Sequence, residues 1–80
     1  MELIISSPQQ RTRHEVAWVE LNSPTGNLII QPGHAPMVLR LKERSPITYG
    51  LLSGKQETLE VDHGTVHVTR STVLLLISSL

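Results

Sequence analysis

Eighty residues without a cysteine bound the chain to one small domain, residues 1–80, with no disulfide framework and an intracellular location as the simpler reading. Seven Lys and Arg balance seven Asp and Glu, and the only aromatics are Trp18 and Tyr49. Both facts argue against a nucleic-acid binder, which needs a basic face and stacking platforms.

Glu2 to Ser6 is a short apolar run ended by Ser7-Pro8 and reads as a first strand. Its lack of a basic start and of a long apolar core separates it from a signal peptide. Gln9 to Arg13 is polar and reads as a hairpin or an edge strand. Val16 to Leu21 is the best early strand, with Ala17, Val19 and Leu21 on one side and Val16 and Trp18 on the other. Trp18 reads as a core or rim residue ahead of a partner contact. Ser23-Pro24-Thr25 starts a turn that Gly26 can close through a positive φ.

Leu28 to Ile30 is the next strand, followed by a corner. Pro32 fixes φ and removes a donor, Gly33 permits a sharp reversal, and Pro36 pushes Ala35 into an extended conformation. Four constrained residues therefore hold His34 in a repeatable geometry. Met37 to Leu41 alternates as a strand, Lys42 to Pro46 is a charged turn, and Ile47 to Leu52 is a further strand. Ser53-Gly54-Lys55 is a tight turn leading to Gln56 to Asp62, with Leu59 and Val61 inward. His63-Gly64 turns or bulges the chain, and Thr65 to Arg70 places Val66 and Val68 inward. Val73 to Ile77 is near-continuously apolar, which predicts a strand buried on both sides. At five residues this run is far short of the roughly 20 that span a bilayer as a helix, so membrane association is expected only through a partner.

These eight or nine short strands, with regular turn signals and no helical periodicity, predict an all-β fold: a small antiparallel two-sheet β-sandwich. Chemistry is harder to find. His14, His34, His63 and His67 follow no metal-ligand spacing, and solvated strand histidines are the plainer reading. Glu57, Glu60 and Asp62 lie on an alternating strand where Glu60 and Asp62 look solvated, without the burial that tunes an acid or base. The five glycines are scattered, so no phosphate loop exists, and there is no Gly-x-Ser-x-Gly elbow. No catalytic residue, metal site or cofactor is expected.

The stretch Gly26-Asn27-Leu28-Ile29-Ile30-Gln31-Pro32-Gly33-His34-Ala35-Pro36 resembles the signature of the epsilon subunit of F-type ATP synthase, in its amino-terminal β-sandwich. Leu3 to Pro8, Ala17 to Leu21, Met37 to Leu41, Ile47 to Gly64, Val66 to Val68 and Thr72 to Leu75 follow the family's strands in order and spacing. The chain departs at Thr25 and Asn27, where the family is acidic, at Ile29, where it has Gly, and at Asp62-His63, where it has Ser-Gly. The resemblance implies a sandwich of about ten strands in the rotor's central stalk, bridging the gamma subunit and the membrane c-ring. It implies a non-catalytic coupling role at the cytoplasmic face of the plasma membrane, peripheral and not inserted. Thr25, Gly26, Asn27, Pro32, Gly33 and His34 would form the ring-facing edge. The helical hairpin that inhibits hydrolysis, and in some members binds ATP, has no counterpart in these residues, so neither property is expected. A free-standing β-sandwich adaptor with no rotary role is the alternative.

Overall fold

The computed structural model describes Met1 to Ser78; Ser79 and Leu80 lie outside the described residues. Eight strands are present among them: β1 (Glu2–Ser6), β2 (Arg11–Ser23), β3 (Gly26–Ile30), β4 (Met37–Arg40), β5 (Ser45–Leu51), β6 (Gln56–Val61), β7 (Gly64–Val68) and β8 (Thr72–Ile77). The count is eight rather than about ten, and one long strand replaces two of the short ones expected. The polar segment after Pro8 runs on through Trp18 as the 13-residue β2.

That strand joins the two sheets. Its first part, Arg11 to Glu15, pairs with β1 and closes a sheet of order β4-β7-β8-β1-β2. Its second part pairs with both β3 and β5, giving the order β3-β2-β5-β6. The corner between β3 and β4 carries the chain from the second sheet back to the first. The pairing is antiparallel with one exception: β1 and β8 run parallel, Leu3 beside Val73 and Ile5 beside Leu75. An all-antiparallel expectation missed this because the two strands are the most distant in sequence.

A register shift between Val16 and Trp18 corrects the sequence reading of β2. Ala17 is the extra residue of a β-bulge, so Val16 lies opposite Leu51 and Val19 opposite Tyr49. Both are fully buried, and they share the inner face with Leu21. Trp18 is left on the outer face across from Gly50, half-buried. A Cβ built on Gly50 would come within 2.6 Å of Trp18 Cε2, so the indole lies flat where Gly50 has no side chain.

Leu3, Ile5, Val16, Val19, Leu21, Ile30, Leu41, Ile47, Val66, Val73 and Leu75 fill the space between the sheets. At about 25 cal/mol per Å² of apolar surface, this burial is the main force holding the sheets together.

Candidate functional site

Two surfaces stand out, and they are built differently. The first is the edge formed by β3 and the turns at its ends. At one end Ser23 Oγ accepts a hydrogen bond from Thr25 N (3.3 Å) and donates one to Gly26 O (3.0 Å), while Gly26 adopts φ 150°. Asn27 Nδ2 donates to Asn22 Oδ1 at 3.1 Å across the hairpin. Thr25, Gly26 and Asn27 are all exposed.

At the other end His34 N donates to Gln31 O at 3.2 Å, with Pro32 and Gly33 between them and Gly33 at φ 84°. Pro at the second position and positive φ at the third define a type II turn. Gly33 N also donates to Arg70 O at 2.9 Å, tying the corner to the β7–β8 connection. The side chain of His34, half-buried, bonds through Nδ1 to Ala35 O at 2.8 Å. The sharp reversal expected at Pro32-Gly33 ahead of His34 is thus what the fold contains.

The six residues expected to act together do not form one cluster. Thr25, Gly26 and Asn27 lie at the start of β3, and Pro32, Gly33 and His34 lie beyond its end. Four residues, Leu28 to Gln31, separate the two groups, so an extended chain puts Asn27 and Pro32 about 17 Å apart, much of the 26 Å breadth of the molecule. They are two contact points on one edge.

The second surface was not visible in the sequence. On the outside of the β4-β7-β8-β1-β2 sheet, the register aligns Val38, His67, Leu74, Ile4 and Arg13 in one row. The next row is Arg40, Thr65, Leu76, Ser6 and Arg11. Val38 is 68% exposed and Leu76 40%, Leu74 is half-buried, and Ile4 is shielded by its neighbours outside the core cluster. This corrects the expectation that β8 is covered on both sides: Val73, Leu75 and Ile77 point inward, whereas Leu74 and Leu76 face out. Arg11, Arg13, Arg40 and His67 flank the apolar strip, with Arg13 Nη1 held by Glu2 Oε2 at 2.9 Å. Leu74 and Leu76 are neighbours on β8, and His67 on β7 separates them from Val38 on β4; exposed apolar side chains among basic ones on one sheet face suit a protein interface.

Elsewhere, no three His, Asp or Glu residues converge among the described residues. His14 stacks on Tyr49 with ring centroids 5.3 Å apart. Burial, then the charge of Glu57 across the strand pair and its hydrogen bond, raise the Tyr49 phenol above its usual range. No helix among the described residues is long and apolar enough to cross a membrane.

The ATP synthase delta/epsilon chain β-sandwich domain matches residues 1–80. Two solved structures are similar in fold. One is a chain of the Euglena gracilis mitochondrial ATP synthase, solved with OSCP, F1 and c-ring, with TM-score 0.86 and 18% identity over 94% of this chain and 48% of that one. The other is a chain of the Tetrahymena thermophila mitochondrial ATP synthase central stalk and c-ring, with TM-score 0.83 and 14% identity over 99% of this chain and 63% of that one. This chain therefore spans less than two thirds of either neighbour's length. No curated protein sequence matches it.

Proposed function

This chain belongs to the ATP synthase delta/epsilon β-sandwich family, and from that membership we propose that it is a central-stalk subunit of a proton-translocating ATP synthase. It bridges the gamma subunit and the c-ring, so that rotation of the ring reaches the catalytic head. The observation that carries this reading is the family match over the whole chain, residues 1–80, which favours the rotor role over a free-standing adaptor.

Mechanical coupling asks for a stiff body with two interfaces and for no reacting group. Two sheets sharing one 13-residue strand supply the stiffness, since twisting one sheet against the other must bend β2. The apolar side chains of Val38, Leu74 and Leu76, on a face underlaid by the buried Ile4, suit the gamma subunit, because their desolvation favours a lasting contact. The β3 edge suits the ring: Thr25, Gly26 and Asn27 at one end, Pro32, Gly33 and His34 at the other, two polar points on one line. In this role the chain needs no catalytic residue and sits peripherally at the cytoplasmic face of the plasma membrane.

Membranes carrying the cognate ATP synthase, stripped of this chain and then resupplied with it, test the reading. Proton-driven ATP synthesis is expected to fall on removal and return on addition. Equal rates in both preparations would assign the fold another task.

A further inference from the structure

The contact between His34 and Ala35 assigns the proton of the neutral ring to one nitrogen. A carbonyl oxygen only accepts, so a 2.8 Å contact from Nδ1 to Ala35 O requires the proton on Nδ1. In the neutral ring Nε2 then has a lone pair and no proton. A free histidine side chain prefers the opposite tautomer, with its proton on Nε2, so the corner imposes this one.

Three constraints keep it in place. The Pro32-Gly33 turn sets the backbone entering His34, the Gly33 N to Arg70 O bond anchors that turn, and Pro36 limits the rotation that would swing the Ala35 carbonyl away. Among the described residues no hydrogen bond engages Nε2. His14 differs: its Nε2 lies 3.2 Å from the Thr12 hydroxyl, which can donate or accept and leaves that tautomer open.

We propose that His34 meets its partner through Nε2 as a hydrogen-bond acceptor, so the facing group on the partner is a donor: an amide, a guanidinium or an ammonium group. The inference rests on the reading that the β3 edge faces the c-ring, and it adds the chemistry of that contact. It also sets a direction. A donor placed at position 34 would oppose the partner's donor, whereas a second acceptor would be tolerated.

Two measurements test it on the full chain. Long-range ¹H–¹⁵N correlation of the imidazoles at about pH 8, above the usual imidazole range, should show His34 protonated at Nδ1 and bare at Nε2. A proton on Nε2 overturns the proposal. Affinity for a purified subcomplex of gamma subunit and c-ring is then compared for wild type, His34→Gln and His34→Lys, each first shown to melt as wild type does. Loss of one well-formed hydrogen bond is worth up to about tenfold in affinity. We expect His34→Lys to weaken binding by about that factor and His34→Gln, whose amide oxygen accepts, to stay within about threefold. Wild-type binding with an unimpaired His34→Lys variant would refute the donor partner and leave the rotor reading standing. No wild-type binding would remove the rotor reading, and the partner with it.

Discussion

The corner at Pro32-Gly33-His34 and the outer strip of Val38, Leu74, Leu76 and Ile4, the two proposed contact surfaces, are made by opposite means. The corner is largely local: six consecutive residues, Gln31 to Pro36, carry a type II turn and an imidazole bonded to the next carbonyl, with one backbone tie to Arg70, and it offers directed hydrogen bonds. The strip is non-local: its four residues come from β1, β4 and β8, and only strand register brings them together. Hydrogen bonds exchanged with water add little net free energy but fix orientation, whereas apolar area removed from water adds affinity without direction. A coupling subunit needs both, and here each has its own place on the body.

The sharpest way to separate surface from scaffold lies within β8. Leu75→Ala should destabilise the fold by about 2–5 kcal/mol, because it empties a fully buried site between the sheets. Its neighbour Leu76 points outward, and Leu76→Ser should change stability by only about 0.5 kcal/mol. Urea titrations of both variants check this contrast. Equal losses would mean that the outer strip is part of the core.

Binding should divide the other way. The pair Val38→Asp with Leu76→Asp should lower affinity for the gamma subunit by about 30-fold or more, as expected when central apolar contacts are replaced by charge. The fold should be nearly unaffected. The corner responds more weakly: Gly33→Ala forces a side chain into φ 84° and should cost about 1 kcal/mol of stability. Calorimetry with gamma should barely register it, and an effect as large as that of the strip variants would merge the two surfaces into one.

Tyr49 reports on the layer beneath both. Its phenol is raised by burial and by Glu57, so the folded state holds it neutral where the unfolded chain would begin to ionise. The stability this contributes is fully present below about pH 10, the unfolded value, and is lost as pH rises through the higher folded value. Thermal melts at increasing alkalinity should therefore fall for wild type and stay flatter for Tyr49→Phe.

How much of this was legible before the structure follows from what is local. The alternation of Leu59 with Val61 and of Val66 with Val68, and the turns at Gly54 and Pro32-Gly33, are written in neighbouring residues, and the fold contains them. The Ala17 bulge was not readable, since nothing in the run from Val16 to Leu21 marks which residue leaves the pleat. Nor could an unbroken apolar run in β8 reveal that one of its faces lies open. The parallel pairing of β1 with β8 joins opposite ends of the chain and leaves no local trace. The candidate sites divide likewise: Pro and Gly announced the corner, whereas the strip exists only once side chains from three strands, β1, β4 and β8, share a sheet face.

The central claim is that this body couples to the rotor through its outer sheet face. Titration of the purified gamma subunit with the folded chain tests it most directly, with Val38→Asp/Leu76→Asp and His34→Ala run alongside. The account predicts one-to-one binding by wild type and His34→Ala and its loss in the strip variant. A folded wild-type chain that fails to bind gamma, or a strip variant that binds as wild type does, would contradict it.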